Sequence, residues 1–128
     1  MIISLIVGDW STDGHGRTGT VVITTNFTAE EMEKALNVGQ DAVGIDFNNL
    51  CSEYQDAYLS EGDYTKLMLA GFNHSWDKNE DGCVYLDVDN FVKIYLFLVK
   101  IGDNKFEYTS AGANYDEILI GGYGLFSN

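Results

Sequence analysis

The densest concentration of reactive side chains lies in one glycine-rich stretch, Gly8-Asp9-Trp10-Ser11-Thr12-Asp13-Gly14-His15-Gly16-Arg17-Thr18-Gly19. Asp9 and Asp13 supply carboxylates, His15 an imidazole and Trp10 a stacking face, beside Arg17, the only arginine of the chain. Glycine lets backbone approach a ligand closely, and a guanidinium offers a planar donor fork to carboxylate or phosphate. Such a loop could hold a nucleotide or a similar small anionic ligand, with Arg17 on the anion and Trp10 on a ring. Asp9, Asp13 and His15 with Glu53 have the ligand types of a metal-dependent hydrolase, without a recognisable spacing. The same residues also read as a long hairpin turn whose Asp, Ser and Thr side chains bond their own backbone.

A second constellation, Asp77-Lys78-Asn79-Glu80-Asp81-Gly82-Cys83-Val84, has the form of the opening of an EF-hand loop. Asp77, Asn79 and Asp81 fall at ligand positions 1, 3 and 5, and Gly82 at the sharp turn. Position 12, where a bidentate Glu closes the oxygen cage, is Val88. Calcium is therefore a weak candidate, and an acidic solvated turn the better reading. No other cofactor is expected.

Catalytic signatures are absent. The chain has no G-x-S-x-G, no H-E-x-x-H and no P-loop, and its histidines are His15 and His74. Cys51 and Cys83 make neither a C-x-x-C pair nor a disulfide framework. A cysteine on an apolar helical stripe, as Cys51 is, packs more often than it reacts.

The elements that would carry these residues follow from pattern. Ile2 to Asp9 and Gly19 to Asn26 are β-rich runs around the loop, an antiparallel hairpin. Thr28-Ala29-Glu30-Glu31 is a capping box, and Met32, Ala35, Leu36, Gly39 and Val43 continue at helical spacing to about Val43. Phe47, Leu50, Cys51, Tyr54 and Tyr58 also share a helical face, and Tyr64, Leu67, Met68 and Phe72 mark a short helix with Asp63 as N-cap. The run from Asp89 to Ile101 has strand-like composition, but Lys93 and Lys100, seven apart, share a face only in a helix. Asn90 joins that edge, Asp87 or Asp89 would cap the helix, and Gly102 would end it. Lys105 to Thr109, Glu117 to Ile120 and Tyr123 to Phe126 read as strands. The expectation is a small α+β domain of the α/β class spanning residues 1–128. Its sheet would be antiparallel, opened by an N-terminal β-hairpin, with helices packed on one face.

Gly8-Asp9-Trp10-Ser11 with Asp13-Gly14-His15-Gly16, and Gly122-Tyr123-Gly124-Leu125 near the end, resemble a group of small uncharacterised bacterial and mobile-element proteins. The resemblance covers the two ends of the chain. It implies a recurrent small domain and carries over no catalytic residue.

Composition bounds the function. Over 128 residues, 20 acids face 7 bases, a net charge of −13, while 45% of residues are hydrophobic and 13% aromatic. That core content excludes a disordered acidic tail, and the charge disfavours nucleic-acid duplexes, which bind through Lys and Arg. The opening apolar run lacks the basic start of a signal peptide, and the apolar stretch Ile94–Val99 is far short of a membrane span. A cytoplasmic setting without membrane contact is the expectation. Residues 51–90 hold nine acids against Lys66 and Lys78, a surface suited to steering a basic partner. Small, acidic, single-domain chains of this kind include immunity proteins and phage or mobile-element inhibitors of bacterial defence. The leading expectation is thus a non-catalytic inhibitor or sequestering protein for a basic protein surface, with Glu80 and Asp81 among its contacts. Ligand binding by the hairpin loop and metal-dependent hydrolysis are the alternatives.

Overall fold

The computed structural model describes residues 2–8, 18–47, 58–86, 88–110 and 116–120. The described elements are β1 (Ile2–Gly8), β2 (Thr18–Thr25), α1 (Ala29–Val43), β3 (Tyr58–Leu59), α2 (Glu61–Leu69), β4 (Val84–Tyr85), α3 (Val88–Gly102), β5 (Tyr108–Ser110) and β6 (Asp116–Ile120). This is the expected α+β class.

The two β-rich runs pair as an antiparallel hairpin, Ile2 against Thr24 through Gly8 against Thr18. The sheet extends in the order β5-β2-β1-β6. β5 is antiparallel to β2, but β6 runs parallel to β1, so the sheet is mixed rather than antiparallel throughout. Alternation of side chains marks a strand's two faces and says nothing of its direction, which the connections decide. A second, two-stranded sheet pairs β3 with β4.

α1 starts where the capping box places it. The Thr28 hydroxyl accepts from Glu31 N–H at 3.2 Å, and the Glu31 carboxylate accepts from Thr28 N–H at 3.0 Å. Met32, Ala35, Leu36 and Gly39 form its buried face, and Gly44 ends it in the left-handed conformation (φ 87°) that glycine tolerates. α3 confirms the helical reading of the Asp89–Ile101 run. Phe91, Ile94, Tyr95, Leu98 and Val99 are buried, while Asn90 and Lys93 are half-buried and Lys100 exposed along one edge. Asp89 lies within the first turn of this helix and is not its cap; Asp87 lies outside the described residues.

α1 and α3 pack so closely that their backbones meet. A Cβ on Gly39 would collide with the carbonyl oxygen of Leu98, and one on Gly102 with that of Ala35. Glycine at these two positions lets the helices approach to backbone contact. Around the crossing, Phe47 packs edge-on against Phe91 at 6.2 Å and Tyr95 at 5.8 Å.

Three local expectations are corrected. Ser60, not Asp63, caps α2, its hydroxyl accepting from Asp63 N–H at 3.1 Å. A serine three residues ahead satisfies that orphan amide, leaving Asp63 inside the first turn. Tyr58 lies in β3 and not on a helix; the body of the expected second helix, 48–57, lies outside the described residues. The strand expected from Lys105 starts only at Tyr108, after a turn in which Phe106 N–H donates to Asp103 O at 3.0 Å. The expected Tyr123–Phe126 strand lies outside the described residues.

Tyr95 makes one prediction about alkaline stability. Burial, and secondarily the negative charge of Glu33, push its phenol well above the ordinary value of 10.0. Above about pH 10 the unfolded chain releases this proton while the folded chain keeps it, so stability present below pH 10 is lost as pH rises. The slope is up to about 1.4 kcal/mol per pH unit. Urea denaturation of Tyr95→Phe should therefore show a shallower loss of stability above pH 10 than the parent.

Candidate functional site

The described candidate residues gather where β3, α2 and β4 meet. Leu59 and Val84, cross-strand partners, are buried and anchor the small ribbon to the core. Their neighbours Tyr58 and Tyr85, also partners, point the other way, and 46% and 44% of their surfaces stay exposed. The two rings meet at 5.8 Å and 66°. Asn90 holds the end of the ribbon to α3, its amide donating to Tyr85 O at 3.1 Å.

Three residues past the tyrosine pair the ribbon becomes acidic. Glu61 opens α2 on one side, and its carboxylate lies where a Cβ on Gly82 would stand on the other. Glu80 and Asp81 are exposed at the adjoining turn. The turn is built by Asn79, whose side-chain oxygen accepts from Asp81 N–H at 2.9 Å and Cys83 N–H at 3.0 Å. Asn79 N–H donates to Cys83 O at 2.8 Å, and Gly82 takes φ 80°, which its lack of a side chain permits.

The segment leading into the turn has no regular structure and is held by aromatic groups instead. The Tyr64 hydroxyl donates to His74 O at 2.7 Å and accepts from Trp76 N–H at 2.9 Å. Tyr64, Trp76 and His74 stack as three near-parallel rings, at 6.1 and 5.9 Å, and Phe72 wedges edge-on between Trp76 and Phe97. Lys78 lies over the Tyr64 ring at 5.5 Å. The lysine nearest in sequence to Glu80 and Asp81 is thus engaged on an aromatic face. Glu61, Glu80 and Asp81 have no ion-pair partner among the described residues; Lys66 pairs with Asp63 at 4.0 Å.

This arrangement bears on the calcium expectation. The Asn79 oxygen that an EF-hand loop would turn toward the ion is spent on backbone amides, and Val88, at the closing position, begins α3. Among the described residues no group of three or more His, Cys, Asp or Glu side chains is gathered for a metal. Calorimetry should give a calcium constant no tighter than roughly millimolar for this loop. A micromolar constant lost in Asp77→Ala would contradict that.

Of the residues singled out from sequence, Glu80 and Asp81 stand at this ribbon end, beside Asp77 and Asn79. Asp9, Trp10, Asp13, His15 and Arg17 lie outside the described residues. Tyr58 and Tyr85 were missed. The alternation Val84-Tyr85-Leu86 after an Asp-Gly turn was the available strand signal.

Elsewhere on the described surface lies an open groove of about 710 Å³ lined by Thr25, Asn26, Lys100, Phe106 and Tyr108 among others. Its cation is committed: the Lys100 ammonium donates to Asn104 O and to Phe106 O at 2.9 Å. Glu107 on the same wall opposes an anion. Among the described residues no helix is long and apolar enough to cross a membrane. Compared with known proteins, the chain matches no family model, no curated protein and no solved structure.

Proposed function

We propose that this chain is a non-catalytic acidic docking protein, an inhibitor of the immunity or anti-defence kind, that covers a basic face of a partner protein. The observation that carries this reading is the juxtaposition of a half-exposed tyrosine pair with three carboxylates that no described cation neutralises. Tyrosines give contact area at low entropic cost and recur as binding anchors. Carboxylates around them steer a basic partner and orient it. The acidic ribbon end is held by the Tyr64–Trp76 brace and the Asn79 turn, so little ordering is left for the moment of binding.

The test uses a basic protein captured on the immobilised chain from its native host and then purified. Reversing Glu80 and Asp81 to Lys together should slow association about tenfold at low salt and flatten its salt dependence, with a smaller change in dissociation. Folding stability should move by less than about 1 kcal/mol, because both side chains are exposed. An unchanged association rate would refute the reading.

A further inference from the structure

We propose that the chemical group this ribbon takes from its partner is arginine rather than lysine, presented along an extended segment. The inference rests on the docking reading above and names its contact chemistry.

Two features of the ribbon carry the inference, one for the choice of cation and one for the extended presentation. The first is the tyrosine pair, which sets one aromatic face beside the edge of another at 5.8 Å and 66° on a half-exposed surface. A guanidinium is flat and weakly hydrated, so it lies on such a ring while its edge donors stay bonded. An ammonium is a compact, strongly hydrated point charge that gives up water to make the same contact. The carboxylates alone would accept either cation.

The second feature is spacing. Tyr58 precedes Glu61 by three residues, as Gly82 precedes Tyr85, and Tyr58 pairs with Tyr85. At about 3.3 Å per residue, the tyrosine pair and the Glu61–Gly82 crossing are on the order of 10 Å apart. In polyproline II geometry, residues three apart face the same way and are separated by about 9 Å. Two arginines so spaced would place one guanidinium on the rings and the other at Glu61 and Asp81, where its positive charge pairs with the carboxylates as a lysine's would.

The experiment is a chemical-shift titration of the full chain at low salt with two proline-rich peptides, one with arginine at every third position and its twin with lysine. The arginine peptide should bind about fivefold tighter, the scale of an exposed cation–π contact. It should move the amide signals of residues 58–61 and 80–85. Tyr58→Leu with Tyr85→Leu, which keeps the ribbon apolar but removes the rings, should lower the arginine peptide to the level of its twin. Glu61→Gln with Asp81→Asn should weaken both peptides alike. Equal affinity of the twins, with dependence on Glu61 and Asp81 retained, overturns the arginine proposal and leaves the docking reading standing. An arginine preference that survives loss of both tyrosines overturns it too. Failure of both peptides to move the ribbon signals counts against the proposal and the docking reading together.

Discussion

Gly39→Ala should destabilise the protein by about 3 kcal/mol and lower its melting temperature by roughly 10 °C. The sign is not obvious from helix propensity, since alanine is favoured over glycine in a helix interior by about 1 kcal/mol. At Gly39 that gain is outweighed. The added methyl would meet the Leu98 carbonyl and crowd Gly102 N at 3.1 Å, and backbone cannot rotate aside as a side chain does. Relief requires α1 and α3 to separate, which opens gaps among Met32, Leu36, Ile94 and Leu98, all buried. Gly62 in α2 provides the contrast. Nothing lies within 4 Å of a Cβ there, so Gly62→Ala should be neutral or stabilising by about 0.5 kcal/mol. Thermal and urea denaturation followed by circular dichroism separates the two. Equal stability of Gly39→Ala and the parent would mean that the helices do not meet at backbone contact.

The largest expected effect on binding belongs to the ribbon. Tyr58→Ala and Tyr85→Ala should each weaken the partner complex by about 2 kcal/mol, close to thirtyfold, mainly through faster dissociation. The double variant should lose less than the sum of the two single losses, because the rings touch and each single removal already costs the contact they share. This differs in kind from the charge reversals at Glu80 and Asp81, which act on association. Half-exposed rings contribute less to folding than the buried Leu59 and Val84 behind them, so the alanine variants should remain folded. Surface-binding kinetics on the purified partner, with circular dichroism as the folding check, measures both quantities.

What was legible in the sequence was what local chemistry writes. α1 carries its own start signal at Thr28 and Glu31 and a buried stripe at helical spacing, so its bounds follow without tertiary information. α3 was legible through its few polar residues, since Lys93 and Lys100 fit a single edge only in a helix. Where two good cap residues compete, as Ser60 and Asp63 do, pattern alone does not rank them, and the observed hydrogen bond does. The ribbon was hidden for a different reason. Strands this short offer no more than the three-residue alternation Val84-Tyr85-Leu86, and Tyr58 continued a helical spacing by coincidence while its partner Tyr85 lay far along the chain. The brace of Tyr64 on His74 and Trp76 is likewise a contact between α2 and an irregular segment, with no repeating pattern behind it. Glu80 and Asp81 could be named from charge alone, but their setting beside exposed aromatics could not.

The most direct test of the docking account is amide hydrogen exchange on the full chain, free and in complex with the purified partner. The account predicts that protection on binding concentrates in residues 58–61 and 77–85, the tyrosine pair, the start of α2 and the Asn79 turn, and fades with added salt as carboxylate contacts are screened. Protection confined to residues 9–17, with the ribbon unchanged, would contradict it and move the binding site to that segment.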